Sequence, residues 1–386
     1  MNDKRLLYIE NLRVALMGLV ILQHAVRAYG STVWWFVRDG QAPLLERFTA
    51  VNSSFFMSLF FFISFYFLPA SYDRKRFLKF HGDRSLRLCV PLVAYAAIVS
   101  SAMMFAYFRV YRNYPAVSFF TYYADYFLGM GQRPADWSGP AWPDANFGHL
   151  WFVEHLVLYG IVYSIYRLLT KKREIKNGPA RNRRELFFPS TARVAFFAVL
   201  LCTVTFAIRV KYPLYSWIGL FGFLQIEPAH IAFYLSMFFI GIIAYRNDWL
   251  AQLPGKTGKL WTVIGLASAT VIALFPVESK YLGGLNACSF AYAFFESFCC
   301  LGLIIGLLYQ FWRYCNSQSA LMETLAQNSY LVYILHLPIV VLYQYLFSFA
   351  HLGPYLKFAL VSILAIPSTV CVSYLARKIP FVAKFL

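Results

Sequence analysis

Near its start the chain reads YIENLRVALMGLVILQHAVRAYG, apolar enough to lie in lipid yet carrying Glu10, Arg13 and His24. On an α-helix, eleven residues advance about 16 Å and turn through about 1,100°, close to three full turns, so Arg13 and His24 share a face. Glu10, three residues before Arg13, is within reach of a salt bridge along that helix. Histidine takes and returns a proton near neutral pH. An ionisable group well inside a span is a candidate functional group, because something must offset the cost of burying it. The three residues therefore read as a polar track ending at a general base. The plainer alternative has Arg13 snorkelling to the headgroups beside Glu10, with His24 hydrogen-bonded to a neighbouring helix.

Other ionisable residues interrupt apolar runs. GHLWFVEHLVLYG holds His149, Trp151 and Glu154. His149 and Glu154 are five residues apart and do not share a face, so they form no simple dyad, and the spacing is not that of an HExxH zinc site. Glu154 is expensive to bury ionised and is a candidate partner for His24, or is held protonated or paired structurally. Arg84 and Arg87 stand one helical turn apart behind Arg74, Lys75 and Arg76, a cluster suited to phosphates or simply to an inside loop. Glu227, His230 and His336 can line a cavity. Pro228 and Pro338, just after two of them, point instead to helix ends. His81 and His155 look peripheral. The seven cysteines show neither metal-ligand nor disulfide spacing, and no metal is expected.

Placing these groups requires helices across a bilayer. Of 386 residues, 60% are hydrophobic and only 13% charged, the composition of a membrane protein rather than a soluble domain. Ten stretches reach the roughly 20 apolar residues a span needs: 9–29, 48–68, 88–108, 148–169, 192–210, 229–246, 260–276, 288–310, 327–349 and 356–376. With the N-terminus inside, the inner segments hold 23 Lys and Arg against 9 outside, the bias expected of ten spans with both termini cytoplasmic. The net charge of +18 is thus mostly topological, and no nucleic-acid motif accompanies it. The first apolar run is too long for a signal-peptide core and lacks a cleavage site, so it is expected to stay in the membrane. Segment 211–228, rich in Pro and Gly, reads as interfacial or re-entrant. The outer loop 109–147 is dense in Tyr and Trp, suited to stacking on sugars or to the interfacial belt. The whole reads as one all-α integral membrane domain, 1–386, in the cell (inner) membrane.

The run acidic–x–Leu–Arg, ten residues, then His, opening a ten-span chain, resembles the membrane-bound acyltransferase-3 family. FFFISFYFLPASYDRKRFLKFHGDRSLRLCVPL, GHLWFVEHLVLYG, EPAHIAFYLSMFFIGIIAYR and YLVYILHLPIVV resemble, in order, segments of its glucan-biosynthesis protein C (succinyltransferase) branch. Glu10 stands where that family usually has Asp, and Phe65 where it has Gly. The resemblance implies transfer of an acetyl or succinyl group from cytoplasmic acyl-CoA to a hydroxyl of an extracytoplasmic glycan or other envelope acceptor. It implies that His24 and Arg13 belong to the active site; His24 is then expected as general base, with Glu10 orienting Arg13 and Glu154 as the candidate partner already noted. Arg84, Arg87, His149, Trp151 and His336 are expected to touch substrates. Acyl-CoA is the donor substrate and no bound cofactor is expected. A transporter or flippase, or a non-enzymatic subunit of a polysaccharide machine, is the competing class. The sequence shows no inverted repeat of the transporter kind, and it leaves acyl group, acceptor and oligomeric state open.

Overall fold

A computed structural model of the chain describes residues 6–30, 35–75, 77–112, 114–139, 142–177, 187–220, 224–275 and 278–385. It is 78% helical. Ten of its helices are long and apolar enough to cross a membrane. These are α1 (Leu7–Val26), α2 (Pro43–Tyr66), α3 (Phe77–Tyr111), α4 (Trp151–Asn177), α5 (Thr191–Lys211), α6 (Pro228–Arg246), α7 (Gly255–Leu274), α8 (Ala287–Tyr314), α9 (Ala320–Ser348) and α10 (Pro354–Arg377). All ten expected spans are present. Lys4, Arg5, Arg76 and the basic residues Arg181, Arg183 and Arg184 lie outside the described residues.

Local sequence explains where the helices begin. Pro43, Pro228 and Pro354 occupy first turns, where a missing N–H costs nothing. Asn286 and Ser319 accept from the amides of Ser289 and Met322 and cap α8 and α9. Pro228 sits at a helix start, as Glu227–Pro228 suggested. Pro338 does not end a helix: α9 runs through it to Ser348, because neighbouring helices can take up the backbone groups a proline frees.

Two connecting segments hold regular structure. The basic segment before the third span is mostly helical, since α3 begins at Phe77 and carries Arg84 and Arg87 on its own surface. It holds wider π-type turns at Ser85–Cys89 and Tyr95–Ser100, either side of Pro91. Segment 211–228 contains an antiparallel hairpin, β1 (Ile218–Leu220) and β2 (Leu224–Ile226), with Ile218 opposite Ile226. Pairing its own backbone groups lets it lie against the bundle without a helix.

Helix α1 packs along α9 and α2 at the centre, with α8 and α10 beside it. Glycines set the closest crossings. A Cβ on Gly302 of α8 would lie 2.5 Å from Gly265 of α7, and one on Gly241 of α6 would lie 3.0 Å from the Phe65 Cβ of α2. Phe65, where the resembled family has glycine, is buried between Phe61, Tyr159 and Phe238. Gly241 opposite it supplies the space.

Candidate active site

Between α1, α2, α3, α4 and α9 lies a cavity of about 250 Å³. Arg13, Lys75, Arg84 and Arg87 line it together with Asp83, and Met17, Phe60, Phe152 and Tyr333 form apolar wall. A smaller cavity of about 130 Å³ is lined by Glu10, Arg13 and Ser329, so Arg13 borders both. Glu10 also accepts from Gln318 Nε2 at 3.1 Å. Lys75 pairs with Asp83 at 2.6 Å. Thus Arg13, Arg84 and Arg87 converge from two helices on one space.

The sequence fixes the two α3 arginines by different means. Arg84 reaches across α4 and donates through Nη2 to Leu156 O at 2.7 Å. Gly160 makes room for it, since a Cβ there would lie 2.9 Å from Arg84 Nε. Arg87 is held through its backbone. Pro91 has no N–H to offer the carbonyl four residues back, and that oxygen, Arg87 O, accepts from Tyr330 Oη of α9 at 2.8 Å.

Beyond Tyr333 stand three histidines from three helices. The His24 ring lies 4.9 Å from His336, 6.1 Å from His149 and 5.8 Å from Trp35, between centroids. His336 Nδ1 donates to Tyr333 O at 2.7 Å, which leaves its Nε2 as an acceptor. That Nε2 lies 3.2 Å from His24 Nδ1, and Val20 O lies 2.9 Å from the same nitrogen. His24 Nδ1–H therefore faces two acceptors. Its Nε2 carries no hydrogen bond among the described residues and keeps the free lone pair. His149 Nε2–H donates to Tyr333 O at 2.9 Å, while Tyr333 Oη donates to His149 O. Tyr333 O thus accepts from both histidines, one residue before Ile334, whose carbonyl Pro338 leaves without an intrahelical N–H. Gln344, fully buried, donates to His24 O and Ala25 O at 3.0 Å and accepts from Trp35 Nε1 at 2.9 Å, which pins the end of α1.

The other expected site residues divide. Arg13 and His24 both face α9, Arg13 beside Ser329 and His24 against His336, as their spacing required. Glu154 is not brought to His24. It is 6% exposed, and its Oε2 accepts from the Gln225 amide of the hairpin at 3.3 Å. The five-residue offset from His149 turns it to another face. Trp151 meets Trp217 edge-on and Tyr234 at a tilt, with ring centroids 5.5 Å away in each case. His155, expected at the periphery, is buried and donates to Trp151 O at 2.8 Å. His81 bonds Ser164 Oγ at 2.8 Å. Among the described residues, no group of three His, Cys, Asp or Glu side chains is placed to hold a metal ion.

A second buried network was only half visible in the sequence. Arg209 pairs with Glu296 at 2.6 Å, and His230 bridges Glu296 at 3.1 Å and Glu227 at 2.8 Å. Burial alone would raise the Glu227 pKa, but His230, the Tyr215 amide and Arg209 hold it below the usual carboxylate range. Arg209 and Glu296 are not among the candidates above, although each interrupts an apolar run, which is the signal that marks such a group.

The aromatic loop packs on itself. Arg112 and Asp144 form a buried two-pronged pair at 2.9 and 3.0 Å, Tyr122 Oη donates to Asp144 at 2.6 Å, and Arg112 lies over the Trp137 ring at 4.2 Å. Burial, then the charge of Asp144, push the Tyr122 phenol well above its ordinary pKa. Tyr122 and Trp137 are buried and not open for stacking on a sugar. Tyr111, Tyr114, Tyr123, Tyr126 and Trp142 stay partly exposed.

Residues 6–378 match the acyltransferase domain family. The chain is 22% identical to glucans biosynthesis protein C of Shigella dysenteriae serotype 1 (strain Sd197) over 358 residues, covering 90% of this chain and 84% of that one. It is likewise 22% identical to glucans biosynthesis protein C of Escherichia coli (strain K12) over 359 residues, with the same coverage. No solved structure matches the chain. The chain belongs to the acyltransferase domain family and is a multi-pass membrane O-acyltransferase.

Proposed function

We propose that this acyltransferase takes an acetyl or succinyl group from cytoplasmic acyl-CoA and places it on a hydroxyl of an envelope glycan across the cell (inner) membrane. One observation carries the reading: His24 has Nδ1 committed and Nε2 free, one residue layer beyond a cavity lined by arginines. Acyl-CoA ends in phosphates, which guanidinium groups bind in fixed geometry. Arg84 and Arg87, with Arg13, receive that end, and the pantetheine arm follows the wall of Met17, Phe60 and Phe152 toward Tyr333.

The reaction then needs one proton moved twice. His24 Nε2 takes the proton of the acceptor hydroxyl as its oxygen attacks the thioester carbonyl. The C–S bond breaks, the ester remains on the acceptor, and the CoA thiolate takes the proton back from His24. A positioned base is worth about 10²–10⁴-fold in rate. His336 orients it, as the third member of a nucleophile–base–orienter set does. Glu10 sets the direction of Arg13 from the adjoining cavity. A glucan is the first acceptor to test, on the strength of the similar proteins' names. The orientation follows from the same reading: the face with Arg13, Arg84, Arg87 and both termini is cytoplasmic, and the 112–144 loop lies outside.

The test uses purified chain in nanodiscs with radiolabelled acetyl- or succinyl-CoA and a glucan oligosaccharide. Ester formation is expected, and its loss in His24→Ala at unchanged expression. Undiminished transfer by that variant overturns the assignment. Mass spectrometry of envelope glycans from a deletion strain should show a missing ester.

A further inference from the structure

His149 is 7% exposed, and its ring nitrogens are used unequally. Nε2–H donates to Tyr333 O, so Nδ1 is the lone-pair nitrogen, and no donor reaches it. The adjoining rings have none to give. His336 commits its Nδ1–H to Tyr333 O, and Tyr95 Oη turns to Met103 Sδ. A buried acceptor without a donor is costly, and an arriving ligand that donates to it removes that cost. The neighbouring ring, His24, is only partly buried and presents a second acceptor in Nε2, since its bonds run through Nδ1, with the two rings 6.1 Å apart at 74°. A hydroxyl has one proton and cannot satisfy both nitrogens. Two acceptors on neighbouring rings call for two hydroxyls on one molecule.

We infer that His149 Nδ1 receives a hydrogen bond from a hydroxyl adjoining the one that reacts, so that the site selects diol acceptors such as a pyranose ring over simple alcohols. This rests on the reading of His24 as the base. Position favours the acceptor over the donor as ligand. His149 lies in the turn just before α4, which follows the 142–147 segment, and Tyr333 separates it from the arginine-lined cavity. A nitrogen there meets molecules arriving from the loop side.

The experiment uses full-length chain in nanodiscs, radiolabelled acyl-CoA, and methyl β-glucoside with its 2-, 3- and 4-deoxy analogues as probes. In the wild type, one deoxy analogue should show an acceptor KM raised about tenfold or more. His149→Phe should raise the KM of the parent glucoside by a similar factor, become indifferent to that same deletion, and leave the KM for acyl-CoA unchanged. His149→Gln keeps a donor for Tyr333 O and an acceptor oxygen, and should recover part of the loss. A deoxy penalty that persists in His149→Phe overturns the inference, as does a rise in acyl-CoA KM parallel to that for the glucoside. If His149→Phe fails to fold, the wild-type deoxy series and His149→Gln still decide. A wild type that needs His24 yet treats every analogue alike sinks the diol subsite alone. Full transfer by His24→Ala sinks the base and this inference together.

Discussion

A single tautomer links the residues of the site. His24 can act as a base through Nε2 only while its proton stays on Nδ1, and Val20 O and His336 Nε2 hold it there. His24→Ala should cost about 10²–10⁴-fold in kcat with little change in acyl-CoA KM, read from initial rates. His336→Phe removes one hydrogen bond worth about 1 kcal/mol, so kcat should fall roughly five- to tenfold and its pH profile should shift. An unmoved profile would mean His336 only fills space. On the donor side, a Gly160→Leu side chain would push Arg84 off Leu156 O and should raise acyl-CoA KM without changing the acceptor KM. Equal KM values would show that Arg84 does not touch the donor. The eleven-residue spacing of Arg13 and His24 was legible because one helix carries both. The contact of His336 with His24 was not, because the two stand 312 residues apart and only the packing of α1 on α9 joins them. Glu154 shows the complementary limit: its helical phase turns it to the hairpin, where its Oε2 accepts from the Gln225 amide, a partner its residue type alone does not announce.

Helices bring these residues together by two kinds of local exception. Glycines permit close crossings: Gly302 on α8 faces Gly265 on α7, and Gly306, one turn on, faces Thr262, in the small-residue pattern of membrane helix pairs. Gly302→Leu should overpack that crossing by about 1–3 kcal/mol, seen as a lower unfolding temperature in detergent. No shift would mean the crossing can open freely. Prolines free carbonyls for other helices to claim, as Arg87 O is claimed by Tyr330. The ten spans could be read from sequence because bilayer thickness fixes their length and apolar content. The helical start of α3, its π-type turns and the β1–β2 hairpin could not. Each depends on partners elsewhere, such as Tyr330 for Arg87 and Glu154 for Gln225, which a hydrophobicity pattern does not contain.

For the whole molecule, the proposed transfer at His24 would require two substrates arriving from opposite faces, and would divide the charges and loops accordingly. The face that meets the arginine cavity also joins the start of α1 to the α8–α9 connection, where Asn11 donates to Cys315 O and Ser317 O at 2.7 and 2.8 Å. The opposite face carries the 112–144 loop, closed by the buried Arg112–Asp144 pair. Replacing one partner of such a pair leaves an uncompensated buried charge, a cost of about 3–5 kcal/mol. Asp144→Asn should therefore loosen the loop while the arginine cavity keeps its affinity for acyl-CoA. Sidedness can be read directly by labelling single cysteines in a chain whose native cysteines are replaced by alanine. Ser138→Cys and Ser317→Cys are both exposed positions, one on each face. In intact spheroplasts a membrane-impermeant maleimide should modify Ser138→Cys at once and Ser317→Cys only after lysis. Adding Asp144→Asn should speed labelling at Ser138→Cys, because that loop then opens more often. Prompt labelling of Ser317→Cys before lysis would put the arginines outside, where no cytoplasmic thioester can meet them, and the two-sided transfer would fail on topology alone.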